Sequence, residues 1–166
     1  CGRQKAQGEI LAYLDADSIP PRDWLKKGVA CFGNPKVVGV SGPYDYYDAN
    51  ILLRVFCFCY QKIAYRATHF LVQNILGIGA VMLGGNSFMR AQAMEQINGF
   101  NTSIRFYGDD ADTGRRLTKV GQVLYKNSII VKSSYRRIAG FKGLKTPFIY
   151  TINFFWILIF KKPFSK

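Results

Sequence analysis

The sequence predicts an α/β domain. Two short apolar runs, residues 10–14 and 37–41, have the length of buried strands, and between them Trp24, Leu25, Val29 and Phe32 recur at helical spacing. Strand, helix, strand in that order is the pattern of α/β architecture. A third observation agrees. The first run stops abruptly at Asp15-Ala16-Asp17, and open α/β sheets bind their ligands at the carboxyl ends of the strands.

Composition bounds the reading. The 166 residues are 49% hydrophobic and 15% aromatic, enough for one domain with a real core and too apolar for a disordered chain. The net charge of +13 is unevenly spread: residues 1–112 hold 11 bases and all 10 acids, whereas residues 113–166 hold 12 bases and no acid. Such asymmetry suits a polyanion, whether nucleic acid, a phosphorylated substrate or the anionic face of a membrane. Cys1, Cys31, Cys57 and Cys59 form no Cys-x-x-Cys pair and His69 is the single histidine, so free thiols in a reducing compartment are expected, not a zinc site.

Each element has its own signal. Residues 8–14 read as a strand buried on both faces, as in a parallel sheet. Asp15 and Asp17 at its end can share a hard divalent cation completed by diphosphate oxygens and water, or can form an acidic turn that caps the next helix. Pro20 and Pro21 open that helix and Gly33-Asn34-Pro35 ends it; residues 37–41 form the second strand, closed by Gly42-Pro43. Residues 51–76 predict a long amphipathic helix with Lys62, Arg66, His69 and Gln73 on one face. A helix at a membrane interface and a helix packed on the domain's own sheet both fit this pattern.

Gly84-Gly85-Asn86-Ser87 marks backbone that something approaches closely, and a short helix over residues 91–97 stops at Asn98-Gly99. A further helix begins in an acidic knot, Asp109, Asp110 and Asp112, and runs to Val120 with Arg115, Arg116 and Lys119 towards its end. Acids first and bases last complement the helix dipole, and Asp112 to Arg116 is an i,i+4 pair. Helix capping alone accounts for the knot, yet three carboxylates together in a strongly basic chain also suggest a cation or a reacting proton. Residues 122–125 and 128–132 read as strands, followed by a basic loop flanked by aromatics. Residues 146–160 are nearly free of charge but short of the ~20 apolar residues of a spanning helix, so an interfacial or truncated segment is expected.

Two acidic clusters, one at a strand end and one opening a helix, separated by Gly-Gly-Asn-Ser and Asn-Gly-Phe, resemble the family 2 glycosyltransferases. Residues 8–18, Gly-Glu-Ile-Leu-Ala-Tyr-Leu-Asp-Ala-Asp-Ser, are similar to the family's strand and Asp-x-Asp motif; residues 85–90 and Asn98-Gly99-Phe100 to its acceptor-side strand and Gly-Phe; residues 108–117 to its Glu-Asp-x-Asp-Leu-x-x-Arg-Leu signature. The resemblance covers about residues 1–135. It implies a partial GT-A fold, Rossmann-like, and an inverting enzyme that moves a sugar from a nucleotide-diphospho-sugar to an acceptor hydroxyl, on a glycan or a lipid carrier. By the same resemblance Asp17 is a direct metal ligand, Asp15 lies near the ribose and the metal, Asp110 is the general base, and Mg or Mn is the cation. Gly85, Asn86 and Asp109 fall on the substrate side, with Arg136 or Arg137 on the diphosphate.

Departures from the family pattern inform as well. Asp109 stands where Glu is commoner, and Thr113 replaces a leucine. Ser134-Tyr135-Arg136-Arg137-Ile138 lacks the Gln and Trp of the processive members, which argues against polymerisation. Family members carry a nucleotide-binding strand and helix upstream, and the fourteen residues before Asp15 are too few for it. The expected organisation is thus a partial catalytic domain over residues 1–140 and a basic, apolar, membrane-proximal tail over residues 141–166, at the cytoplasmic face of a membrane. The competing reading is a non-catalytic basic membrane-surface module built from residues 51–76 and 141–166. A metal-dependent nucleotidyltransferase would use paired aspartates too. Nucleic acid is disfavoured, because an arm that binds it would spread charge through residues 146–160.

Overall fold

The computed structural model describes residues 2–104, 108–137 and 141–162, with the side chains of residues 137 and 141–150 outside that description. After one turn, α1 (Gly2–Lys5), the chain forms β1 (Ile10–Leu14), α2 (Trp24–Ala30), β2 (Val37–Ser41), β3 (Tyr44–Tyr46), α3 (Ile51–Tyr60), α4 (Arg66–Phe70), β4 (Asn86–Arg90), α5 (Ala91–Gln96), α6 (Asp109–Leu117), β5 (Gln122–Tyr125), β6 (Val131–Ser133) and α7 (Phe141–Phe160). The main sheet has the order β1-β4-β2-β5, and β3 pairs with β6 in a separate parallel ribbon.

β4 lies antiparallel between β1 and β2, and β5 is parallel to β2. Three carboxyl ends, those of β1, β2 and β5, therefore share one edge with the start of β4. The expectation of a doubly buried first strand in a parallel sheet is corrected: among the described residues β1 has β4 as its one strand partner, and Ala12 and Leu14 are exposed. As an edge strand it is only partly covered. β2 is instead buried along its whole length, as its central place requires. β6 begins later than the predicted 128–132, because Asn127 and Ser128 turn and the Ile129 N–H closes back on Lys126 O at 3.1 Å.

Apolar side chains fill both faces of the sheet. Leu11, Val38, Met82, Met89, Met94 and Leu117 form one cluster with α5 and α6. Trp24, Phe32, Val40, Phe88, Ile129 and Val131 form the other, beneath α2. Gly28 permits the close approach there, since a Cβ at that position would stand 2.2 Å from the Phe88 ring.

Residues 51–75 form one helical run in which π turns at Gln61–Tyr65 and Leu71–Ile75 interrupt α3 and α4. Asn50 caps its start by accepting the Leu53 N–H at 2.9 Å. Each π turn adds a residue and shifts the face presented to the sheet. The expected polar face is corrected in part as a result: His69 and Gln73 turn to the sheet, whereas Arg66 stays exposed. Gln73 bonds the N–H and C=O of Val123 at 3.0 and 2.7 Å, and His69 Nε2 lies 3.1 Å from the same carbonyl. Gln61 does likewise for Tyr44, at 2.9 and 3.1 Å. These side chains satisfy the outer backbone groups of β5 and β3 in place of a further strand. What the run turns outward is largely apolar: Ile51, Leu52, Phe56, Ile63, Phe70 and Ile75 are exposed, with Arg66 and Asn74 among them.

Candidate active site

The two acidic clusters meet at Gly84-Gly85. β1 delivers Asp15, whose backbone N–H donates to Gly85 O at 3.2 Å. Its carboxylate packs on Gly85 so closely that a Cβ there would stand 2.1 Å from Asp15 Cγ. On the neighbouring glycine the arrangement repeats with the other cluster. The Gly84 N–H donates to Asp110 Oδ2 at 3.0 Å, and a Cβ on Gly84 would stand 2.3 Å from Asp110 Oδ1. What the Gly-Gly pair admits is therefore the chain's own carboxylates, one from a strand end and one from a helix start.

α6 presents Asp110 from its first turn, where the helix dipole and free N–H groups favour negative charge. Gly108 precedes the helix with φ 124°, a conformation that side chains disfavour, and a Cβ there would meet Ile157 of α7 at 2.1 Å. Ile157 and Leu158 are buried, so α7 packs on the body through them. Asp109 is exposed beside Asp110.

Asp112 has a different part. It is 1% exposed and takes Arg115 Nη2 at 2.6 Å on one oxygen and Arg116 Nε at 2.7 Å on the other. Arg116 Nη1 also donates to Ile97 O and Gly99 O, both at 2.6 Å, where α5 has ended in the positive-φ pair Asn98-Gly99. Asp112 and Arg116 thereby tie α6 to the end of α5.

Asn86, expected on the substrate side, is corrected by its surroundings. It is fully buried; its oxygen accepts the Trp24 indole N–H at 2.9 Å, and its amide donates to the carbonyls of Gly42, Pro43 and Ile129 at 2.9–3.1 Å. This side chain locks β4 to the β2 and β6 connections. Arg136 stands beside Asp17, with Nη2 3.5 Å from Asp17 Oδ2. Arg137 closes the short 3-10 turn Tyr135–Arg137, but its side chain lies outside the described residues, as do Tyr107 at the edge of the knot and Ile138.

Sequence reasoning missed Asp48, which anchors the Arg136 loop. It accepts the Ser134 hydroxyl at 2.6 Å and the Tyr135 N–H at 2.5 Å, and these two donors hold its carboxyl below the usual range. A lone acid in a Tyr-rich turn gives no motif to find it by. His69 was visible as a type but not as a role. It is buried, which lowers its pKa, and its Nδ1 accepts the Val81 N–H at 3.2 Å.

Among the described residues no group of three or more His, Cys, Asp or Glu is placed to hold a metal ion. Asp15 and Asp17 supply two carboxylates on one turn. That oxygen set fits a hard cation whose remaining ligands come from diphosphate and water, and it does not fit zinc. Nor is any helix of the described residues long and apolar enough to cross a membrane.

The profile described as Glycosyl transferase family group 2 matches residues 10–156, and the chain belongs to that family. Among solved structures it is similar to the mannosyltransferase PcManGT from Pyrobaculum calidifontis in complex with GDP-Man and Mn2+. The TM-score is 0.62 at 18% identity, over 96% of this chain and 41% of that one. The fold is accordingly the GT-A fold in part, and the chain spans 41% of that structure's length. No curated protein has a matching sequence.

Proposed function

We propose that this chain contributes the metal-side and acceptor-side parts of an inverting glycosyltransferase, which moves a sugar from a nucleotide-diphospho-sugar to an acceptor hydroxyl. The observation that carries the reading is the packing of Asp15 and Asp110 on adjacent glycines, which brings a cation-type carboxylate and a base-type carboxylate to one edge of the sheet. Asp110 takes the acceptor proton as the acceptor oxygen attacks the anomeric carbon and the bond to the diphosphate breaks. Asp15 and Asp17 would hold Mg or Mn, and the cation would supply positive charge against the leaving diphosphate. Arg136, beside Asp17, adds a second positive group to that diphosphate. Asp109, exposed next to the base, and Gly85 line the acceptor approach. The similar structure holds GDP-Man and Mn2+, which makes GDP-mannose with Mn2+ the first donor to try.

The acceptor is a glycan or a lipid-linked hydroxyl at a membrane surface. The apolar outer face of residues 51–75 and the exposed lysines 161 and 162 after α7 support binding to anionic lipid. Unpaired thiols at Cys31, Cys57 and Cys59 fit the reducing, cytoplasmic side.

The test is turnover of a nucleotide-sugar panel by the full-length protein, with and without chelator. Metal-dependent sugar release in the presence of a hydroxyl acceptor is expected. Nucleotide transfer without sugar transfer would replace this reading by a nucleotidyltransferase.

A further inference from the structure

The 3.5 Å contact between Arg136 and Asp17 is too weak to place an arginine by itself. The Arg136 side chain is 77% exposed, and such surface pairs contribute little. Something else fixes where the guanidinium stands, and the ribbon of β3 and β6 provides it. On one edge of β6, Ile19, two residues beyond Asp17, exchanges backbone hydrogen bonds with Lys132 at 2.7 and 3.1 Å. On the other edge the β3 pairing extends to Tyr47, whose N–H donates to Ser133 O at 3.2 Å. The Asp17 turn and the Arg136 turn thus hang from the same three-residue strand.

Asp48 completes this frame. Its two oxygens take different donors: Oδ2 the Ser134 hydroxyl and Oδ1 the Tyr135 N–H. Ser134 Oγ in turn accepts the Arg136 N–H at 3.2 Å. The first N–H groups of the Tyr135–Arg137 turn, which have no partner inside a 3-10 turn, are therefore satisfied from outside. The Tyr46 and Tyr135 rings, 5.6 Å apart, pack against the same junction.

We propose that Asp48 is a positioning residue that acts through Ser134 and Tyr135 to hold Arg136 opposite Asp17, ready to contact the diphosphate of the donor. The inference rests on the glycosyltransferase reading, which supplies the diphosphate. Its physical content is preorganisation: an arginine already ordered by its turn loses less freedom when the anion arrives. Asp48 itself touches no substrate.

The experiment is calorimetric titration of the full-length protein with two probes, manganese pyrophosphate and GDP-mannose with Mn2+. It compares wild type, Asp48→Ala, Ser134→Ala, Arg136→Ala and the double variant Asp48→Ala/Arg136→Ala. Asp48→Ala and Arg136→Ala should each weaken pyrophosphate binding roughly tenfold, with Ser134→Ala between them and wild type. The double variant should bind no more weakly than Arg136→Ala, because Asp48 acts only through that arginine. A merely structural residue would lower the melting temperature and add its loss to that of Arg136→Ala. Full additivity, or wild-type affinity in both Asp48→Ala and Ser134→Ala, overturns the proposal while leaving the glycosyltransferase reading intact. If Asp48→Ala does not fold, Ser134→Ala and its double variant with Arg136→Ala decide by the same criterion. Failure of the wild type to bind either probe overturns both.

Discussion

The backbone N–H of Gly84 donates to Asp110 at 3.0 Å, and the missing Cβ of Gly84 is what lets the carboxylate come so near. The glycine is thus both the donor that orients the base and the gap that receives it. Gly84→Ala would place a methyl 2.3 Å from Asp110 Oδ1, and the carboxylate would have to move. Displacement of a reacting group by ~1 Å costs on the order of 100-fold in rate, so kcat should fall by about that factor with donor binding retained. Gly85→Ala displaces Asp15 instead and should weaken metal and donor binding. Calorimetry beside turnover separates the two.

Asp112→Ala should destabilise the protein by about 3–5 kcal/mol, because it leaves two partly buried guanidiniums without their carboxylate. Among the described residues Arg115 Nε and Arg116 Nη2 have no acceptor. Urea denaturation measures the loss. Arg116→Ala should overlap with it, since both break the tie between α6 and the end of α5.

His69 predicts a pH dependence of stability. Burial lowers its pKa from the ordinary 6.5, partly offset by the carbonyl of Val123, and the Val81 N–H occupies the Nδ1 lone pair that a protonated ring lacks. The unfolded chain therefore binds the proton more readily than the folded one. This contribution to stability is complete above pH 6.5 and is lost as pH falls from there through the lower folded value. The melting temperature of the wild type should drop between pH 7 and pH 5, and that of His69→Gln should drop less.

Leu52 is 81% exposed and Phe56 66%, so polar replacements there leave the core intact and probe the proposed membrane docking. Leu52→Gln and Phe56→Gln should each weaken binding to phosphatidylglycerol vesicles roughly tenfold in co-sedimentation and leave the melting temperature unchanged. Added salt should weaken wild-type binding further. Equal binding by wild type and both variants would remove this face from the account.

Much of this was legible in the sequence where local chemistry and tertiary role coincide. The helix over Trp24 to Phe32, the strand at 37–41, the acidic start of α6 and the close-approach glycines all follow from patterns a few residues long. Two misreadings share one cause, a partner distant in sequence. β1 looked doubly buried because an apolar run does not tell an edge strand from a central one. Asn86 looked like a ligand contact, yet its partners Trp24, Gly42, Pro43 and Ile129 are 43–62 residues away. A third has a local cause: π turns break the 3.6-residue period on which the expected polar face of residues 51–75 rested, so His69 and Gln73 meet β5 while Arg66 stays exposed. Asp48 carried no pattern, since its role exists only once β3 and β6 pair.

The central claim is that Asp110 is the base, and the most direct measurement is single-turnover sugar transfer by Asp110→Asn, using the nucleotide sugar that the wild-type protein turns over. Asn keeps the shape and can still accept the Gly84 N–H, but it does not take a proton. Transfer should fall by roughly 100- to 10,000-fold with donor affinity unchanged. Transfer at the wild-type rate would contradict the assignment.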